Sequence, residues 1–443
     1  MKIHRLFGMP RAGVPGAAGV AALAAVLLGA TPARAATDVQ VWYALNPHNE
    51  KAFEKLVRQF NRDQDDVKVS LKSFDSPDAL EATLAERAAK KKDIPQLVQL
   101  DDNRAPEALE GRRYVKPLYA VLAKHPIKDD DWFVSADNGF VRDARGRLLA
   151  FPYMVEIPVM YYNVTAFKKA GLQPAVPQRS WEGLQGQLVD LANKATRNCP
   201  ATSDQPVSIN LENLAAVNNQ FYATNQNGLK GKAQPAFAFD TVYVRHLSLM
   251  ISWVRSELMV KPEYDSRATQ RFVDNECAVL MSESGNLGWF KDKNTLEFGV
   301  SGLPYYPQVT KTPGNPFVDG AALWLTSGQT ADSEKASVQF LGWLAKPDNA
   351  AAWYQETGFL PLTKQAFAGT GSSYYKNLGD WRNLVAAYSR PQPATGRTFK
   401  IKNYPKIRAM FHQTLQRALN GEQPAMTALS SASSQATRLM REK

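Results

Sequence analysis

Two groups of polar residues follow predicted strands and could bind or transform a small molecule. Asp101-Asp102 ends the apolar run 96–100, and Ser282-Glu283-Ser284-Gly285-Asn286 follows the apolar run 277–281. Paired carboxylates can supply the acid and the base of a glycosidase, and backbone N–H groups at a helix start can bind an acceptor atom. Because no further acid–base group accompanies Asp101-Asp102, we expect these residues to accept hydrogen bonds from a ligand, or to lie in a solvated turn, rather than to catalyse.

Other catalytic and metal-binding patterns do not occur in the sequence. It contains no G-x-S-x-G elbow, no phosphate loop of the nucleotide-binding type and no H-E-x-x-H. His48, His125, His246 and His412 are not at metal-ligand spacing from one another. We therefore predict a protein that is not an enzyme and that uses no cofactor and no metal ion.

Composition indicates an exported globular protein. The 443 residues are too many for one core. A basic start, an apolar stretch rich in Gly and Ala, and the sequence Ala33-Arg34-Ala35 predict that residues 1–35 are a cleavable signal peptide. Its removal lowers the net charge from +11 to +7, and the remaining basic residues form no stripe with aromatics, so no nucleic-acid partner is expected. Cys199 and Cys277 either pair in an oxidising compartment or stay as buried thiols.

Strands and helices are predicted to alternate in the N-terminal part. Apolar patterns predict a β-α-β-α-β order with elements at 39–45, 53–60, 67–71, 76–88 and 96–100. This order indicates a parallel sheet, and ligands bind beyond the carboxyl ends of the strands in such sheets. Trp42 and Asp102 lie near two of those ends, and Asp78 lies at the start of a nearby helix.

The stretch from Phe151 to Asn163 is predicted to carry the chain from one lobe to another. Pro152 and Pro158 each remove a backbone donor, so one central strand through both is not expected. Two extended segments that meet near Glu156 fit the pattern better. A returning segment is expected at 318–325 around Gly320, and a ligand cleft is expected beside the two crossings.

Several motifs carry a family resemblance, among them Tyr161-Tyr162-Asn163, the run 341–347 and Thr357-Gly358-Phe359-Leu360-Pro361. With these motifs the chain, from about Val39 onward, resembles the extracytoplasmic solute-binding proteins of ABC importers, and most of all the members that bind glycerol-3-phosphate for the Ugp importer. The resemblance implies an α/β, two-lobed periplasmic binding protein fold with a ligand cleft between the lobes. It also implies a periplasmic monomer that serves the permease subunits of an ABC transporter in the inner membrane.

The resemblance and the two crossings together predict the lobe boundaries. The N-lobe takes residues 37–153 and 319–365. The C-lobe takes residues 154–318 and a helical second segment, 366–443.

The resemblance also implies which residues contact the ligand. The family's binding tryptophan, its pocket glutamate, the glycine of its return crossing and its anion-binding arginine correspond to Trp42, Asp102, Gly320 and Arg408. Neutral polar residues of the family are replaced by Asp78, Glu156 and Glu283. Ser284 follows the last of these, and a family tyrosine is replaced by Phe359.

The additional acids leave the ligand open. The resemblance favours capture of glycerol-3-phosphate or a glycerophosphodiester for import, with Arg408 holding the anionic oxygens. Three extra carboxylates oppose a phosphate dianion, so a neutral or cationic solute such as a sugar, a polyol or a polyamine is the alternative, unless some of the acids point away. A sensor subunit that docks on a receptor, and an exported glycoside hydrolase that uses Asp101 or Asp102 with Glu156, are further alternatives.

Overall fold

The computed structural model describes residues 35–101, 112–195, 198–262 and 266–442. Residues 36–443 form one compact unit. The predicted signal peptide lies outside the described residues except for Ala35, and so does Asp102.

The strands of the described residues are β1 (Thr37–Tyr43), β2 (Val67–Ser73), β3 (Leu97–Asp101), β4 (Val115–Lys116), β5 (Phe151–Glu156), β6 (Pro158–Asn163), β7 (Cys199–Ser203), β8 (Cys277–Glu283), β9 (Phe298–Ser301) and β10 (Asp319–Thr326). The main helices are α1 (Pro47–Asp63), α2 (Pro77–Ala89), α3 (Leu118–Leu122), α4 (Val164–Lys169), α5 (Trp181–Lys194), α6 (Asn213–Val217), α7 (Thr241–Arg255), α8 (Arg267–Val273), α9 (Leu287–Lys291), α10 (Ala331–Ala345), α11 (Pro347–Thr357), α12 (Lys364–Ala368), α13 (Ser372–Tyr375), α14 (Trp381–Ala386), α15 (Tyr404–Leu419) and α16 (Ala425–Leu439).

The strands form two sheets, which define two lobes. The first sheet has the order β2-β1-β3-β10-β4, and β5 also pairs with β10. β1 is parallel to β2 and β3, as the alternating strands and helices predicted, whereas β10 is antiparallel to β3, β4 and β5. The second sheet has the order β7-β8-β6-β9. The prediction of an α/β, two-lobed fold is therefore confirmed.

The chain passes between the sheets at Ile157. β5 ends at Glu156 and pairs with β10 of the first sheet, whereas β6 begins at Pro158 and pairs with β8 and β9 of the second. A proline lacks the N–H that a central strand needs, and Pro158 accordingly stands at the first position of a new strand. The predicted break between two extended segments is thus confirmed.

Helix α1 illustrates how the sequence builds the walls of the first lobe. Its N-cap, Asn46, accepts a hydrogen bond from the backbone N–H of Asn49, and Pro47 opens the first turn, where a missing N–H costs nothing. The predicted apolar positions Phe53, Leu56, Val57 and Phe60 are all buried. This face packs toward the first sheet and leaves the helix start beside the crossing.

Apolar side chains form two buried clusters. The first contains residues of β1, α1 and α10 and also Trp381 and Val385 of α14. The second contains residues of α5 and α7 and also Ile407 and Phe411 of α15. The first cluster also contains Tyr161 and Leu280 of the second sheet, so the clusters do not separate the lobes, and the lobe boundary at residue 366 stays a proposal.

Cys199 and Cys277 form a disulfide with an Sγ–Sγ distance of 2.10 Å. They are register partners in the parallel pair of β7 and β8. Pairing was one of the two alternatives left open by the sequence, and the structure decides in its favour.

None of the helices in the described part of the chain combines the length and the apolar character that a membrane crossing requires.

Candidate functional site

A cavity of about 300 Å³ lies where the two sheets meet. Residues that follow β1 and the end of β3 line it from the first lobe, and residues at the end of β8 line it from the second. Its described lining consists of Ala44, Leu45, Asn46, Asn49, Pro77, Gln99, Asp101, Met154, Glu156, Gln205, Glu283, Gly285, Asn286, Asp319, Gly320, Ala321, Phe359 and Arg408. The cavity lies at carboxyl ends of parallel strands, as the sequence predicted.

The two crossing strands place acidic residues side by side on one wall. Glu156 at the end of β5 is the register partner of Asp319 at the start of β10. Asp101, at the end of β3, is the partner of Ala321. Neighbouring strands are about 5 Å apart, so Glu156, Asp319 and Asp101 form a continuous acidic surface.

Gly320 allows this approach of the crossing strands. Its φ is +97°, a conformation that favours glycine. A Cβ at this position would lie 2.3 Å from the carbonyl oxygen of Met154 and 3.0 Å from Cγ of Glu156. A side chain at residue 320 would therefore push the two crossings apart.

Burial and neighbouring charges raise the pKa values of Glu156 and Asp101. Burial, followed by the charge of Asp319, raises the pKa of Glu156 to about 8, although the N–H of Gly285 donates to Glu156 Oε2 at 3.1 Å and acts in the opposite direction. Asp101 opens onto the cavity, but surrounding protein and the charge of Asp319 raise its pKa to about 6. Proton loss from Asp101 and Glu156 is thus shifted to higher pH.

Glu283 faces the cavity from the second lobe. It is only 7% exposed. Its Oε1 accepts a hydrogen bond from Ser208 Oγ at 3.3 Å, whereas Oε2 has no hydrogen-bond partner among the described residues. Burial first, and then the charges of Glu156 and Asp319, raise the pKa of Glu283 well above its ordinary value.

Arg408 provides positive charge in the same cavity as Glu283, but part of this charge is already compensated by a neighbouring carboxylate. Its Nε donates to Glu212 Oε1 at 3.1 Å, and its Nη2 donates to Gln205 Oε1 at 3.4 Å. Glu212 is 1% exposed and also accepts from the hydroxyl of Tyr404. A buried carboxylate so close to the guanidinium weakens its attraction for a second anion.

Five of the nine residues chosen from the sequence line the cavity: Glu156, Glu283, Gly320, Phe359 and Arg408. Phe359 follows Gly358 at the end of α11, and its ring stacks on Trp353 with centroids 5.6 Å apart. The structure brings these five together from five segments of the chain. Their contacts with a ligand remain a prediction.

Trp42, Asp78 and Ser284 are not among the described lining residues. Trp42 is 2% exposed, and Lys72 Nζ lies 4.5 Å from the centre of its ring. Asp78 is exposed, whereas the preceding Pro77 reaches the cavity. Ser284 is buried, and its Oγ accepts from the N–H of Ile157 at 3.3 Å, so it supports the crossing. Asp102 lies outside the described residues.

Sequence reasoning did not assign the amides that line the cavity. Asn49 is 1% exposed and donates to the carbonyl oxygen of Gly285 at 2.8 Å, which joins the start of α1 to the second lobe. Gln99 binds both backbone groups of Ala44 through its side chain. An Asn in the first turn of a helix that follows a parallel strand is the only sequence signal that could have pointed to Asn49.

A second, larger cavity lies at the opposite edge of the first sheet. Its volume is about 840 Å³, and it contains Gln96 before β3 and Thr326 at the end of β10. Within the described residues it is lined from the first lobe only. The smaller cavity, which touches both lobes and both crossings, is the better candidate for a ligand site.

No group of three or more His, Cys, Asp or Glu side chains suited to hold a metal ion occurs in the described ranges.

Comparison with known proteins places the chain in a family. Residues 55–378 match the model of the family described as bacterial extracellular solute-binding protein. The sn-glycerol-3-phosphate-binding periplasmic protein UgpB of Pectobacterium atrosepticum is 30% identical over 428 residues, 95% of each chain. UgpB of Escherichia coli K12 is 28% identical over 430 residues, 95% of this chain and 96% of that one.

Solved structures are similar in fold. UgpB of Mycobacterium tuberculosis in complex with glycerophosphocholine has a TM-score of 0.72 and 17% identity, and covers 91% of this chain and 99% of its own. The GacH receptor of Streptomyces glaucescens has a TM-score of 0.74 and 14% identity, and covers 92% of this chain and 99% of its own. At these identities the likeness concerns the fold.

Proposed function

Because the chain belongs to the family of bacterial extracellular solute-binding proteins, we propose that it is the periplasmic substrate-binding component of an ABC transporter. Its ligand is glycerol-3-phosphate or a glycerophosphodiester. The observation that carries this proposal is a cavity enclosed by both lobes and crossed by both connecting segments, near Glu156 and Gly320. Its volume, about 300 Å³, is at the lower end of the range for small-molecule sites.

The chemistry of the cavity is compatible with a phosphate ester. Arg408 supplies a guanidinium that can bind phosphate oxygens. Protonated carboxyl groups of Glu156 and Glu283 can donate hydrogen bonds, so these two acids need not repel an anion at neutral pH. Amide groups of Asn49 and Gln99 border the site, and Phe359 offers an apolar face to a carbon chain.

The transport cycle follows from the two crossings. Ligand contacts from both lobes favour closure, and a closed pair of lobes presents one surface to the permease subunits in the inner membrane. In this role the protein acts as a periplasmic monomer, is exported by the signal peptide 1–35 and does not bind nucleic acid. Its relatives are solute-binding proteins rather than enzymes.

Isothermal titration tests the proposal. We expect glycerol-3-phosphate or glycerophosphocholine to bind, and Arg408→Met to weaken binding at least about tenfold, since a charge-assisted hydrogen bond contributes about 1.5–3 kcal/mol. Arg417→Met is the matched control, because Arg417 lies on the same helix but is exposed and outside the cavity lining. Absence of binding by every organophosphate would reject the ligand class.

A second candidate function, binding of a neutral or cationic solute, is favoured by the acidic wall formed by Asp101, Glu156 and Asp319. Tight binding of a polyol, a sugar or a polyamine, with no binding of organophosphates, would support it. Turnover of chromogenic glycosides is expected to be zero, and hydrolysis that disappears in Asp101→Asn would support a hydrolase instead.

A further inference from the structure

The cavity contains more acidic groups than the binding of a simple phosphate ester would need. Among the described residues, four carboxyl groups line it, those of Asp101, Glu156, Glu283 and Asp319. Arg408 is the only basic residue in the described lining, and it is hydrogen bonded to the buried Glu212. A ligand with only negative charge therefore gains nothing from these groups when they are ionised.

One carboxyl oxygen in the cavity, Oε2 of Glu283, receives no hydrogen bond from the described residues. Glu283 is 93% buried and faces the cavity, and its Oε2 has no hydrogen-bond partner among the described residues. Buried polar atoms are normally paired, and a buried polar atom without a partner costs free energy. A donor carried by the ligand would satisfy this oxygen.

The wall opposite Glu283 offers further acceptors. Glu156 accepts a hydrogen bond at Oε2 from the backbone N–H of Gly285. Asp319 is its register partner on the adjacent strand. The charge of Glu156 also contributes to the raised pKa of Glu283. A single positive group near both side chains would therefore interact with two carboxylates.

The lining distinguishes between kinds of cation. Quaternary ammonium groups have no N–H and are recognised by several aromatic faces. Phe359 is the only aromatic residue in the described lining. Carboxylates instead suit an ammonium that carries N–H donors, because each N–H forms a charge-assisted hydrogen bond.

We propose that the cavity contains an ammonium subsite, formed by Glu283 and Glu156 with Asp319, which selects ligands that carry a primary or secondary amine. The inference builds on the proposed function and narrows it to a glycerophosphodiester with an N–H-bearing cationic head, such as glycerophosphoethanolamine. In that complex the phosphate lies toward Arg408 and the amine toward Glu283.

Proton linkage gives this assignment a measurable consequence. The cation-binding form of each acid is the carboxylate, whereas burial keeps Glu156 and Glu283 protonated in the empty cavity. Binding of an ammonium must then release protons, and its affinity must increase with pH. The other charged groups facing these acids are Asp101, Asp204, Asp319 and Arg408, and they remain the same for every ligand compared.

The experiment compares four ligands by isothermal titration on the purified protein: glycerophosphoethanolamine, glycerophosphocholine, glycerol-3-phosphate and putrescine. We expect glycerophosphoethanolamine to bind at least tenfold more tightly than glycerophosphocholine and glycerol-3-phosphate. Its affinity should increase between pH 6 and pH 8.5, with protons released in buffers of different ionisation enthalpy. Glu283→Gln keeps the size of the side chain and should remove the preference for the amine.

Three outcomes would overturn the inference: equal or tighter binding of glycerophosphocholine, an unchanged preference in Glu283→Gln, or no binding of either amine. Binding of glycerol-3-phosphate or glycerophosphocholine would then still support the proposed function, because that function does not depend on the ammonium subsite. Binding of putrescine alone would retain the ammonium subsite and reject the organophosphate as ligand. Circular dichroism of Glu283→Gln controls for loss of the fold.

Discussion

Replacement of Gly320 by alanine is the sharpest test of how the two crossing strands form the site. Two separate costs are expected. The φ of +97° is unfavourable for alanine by about 1–2 kcal/mol. In addition, the new Cβ would lie 2.3 Å from the carbonyl oxygen of Met154, so the backbone must shift, at a further cost of about 1–3 kcal/mol. We expect Gly320→Ala to lower the free energy of unfolding by about 2–5 kcal/mol.

Gly146→Ala provides the matched control. Gly146 has a φ of +77°, but a Cβ there would meet no atom within 4 Å. The difference between the two variants in urea denaturation therefore isolates the steric contact between the crossings. Because this contact lies beside the Glu156–Asp319 pair, Gly320→Ala should also weaken ligand binding at least about tenfold, or about 1.4 kcal/mol, whereas Gly146→Ala should not. Unfolding free energies within about 0.5 kcal/mol of each other, the usual scatter for surface changes, would refute the reasoning.

Three further outcomes are expected. Because the pKa values of Glu156 and Glu283 are raised, the folded protein holds more protons than the unfolded chain between pH 4.5 and about 8. The free energy of unfolding should therefore fall as the pH rises through this window. The melting temperature of Glu156→Gln should depend less on pH. Loss of the Cys199–Cys277 disulfide, which closes a loop with a sequence separation of 78, should cost about 4 kcal/mol; an unchanged unfolding midpoint after reduction would contradict this. Asn49→Ala removes the 2.8 Å hydrogen bond to Gly285 and should cost about 1–2 kcal/mol in denaturant titrations.

The elements that position the site were predictable because each has a strong local cause. In α1 the spacing of Phe53, Leu56, Val57 and Phe60 requires a helix with one buried face, and all four are buried. At Pro158 the missing N–H prevents one strand from running through both sheets, and the structure changes sheet there. Such signals depend on neighbours in the sequence, so they survive without knowledge of the rest of the molecule.

The lining of the cavity was less predictable because it depends on contacts between distant segments. Trp42 was chosen from the end of the first strand, but the cavity begins two residues later, at Ala44. Its indole lies instead beside Lys72, the register partner of Trp42 on β2. Compensation of Arg408 by Glu212 joins residues almost two hundred positions apart, and no local pattern signals it.

In the proposed ammonium subsite, the acids on the crossings would couple the choice of ligand to closure of the lobes. Glu156 immediately precedes Ile157, where the chain changes sheet, and Asp319 begins the strand that returns. Like charges on directly opposite strand positions destabilise a pair, so in the empty site repulsion is avoided by keeping a proton, as the raised pKa of Glu156 indicates. A cation that replaces this proton binds carboxylates from both lobes at once, since Glu283 belongs to the second sheet. Such a ligand would interact most strongly with the closed arrangement of the two lobes. A ligand shifts the populations of two arrangements only if its affinity for them differs.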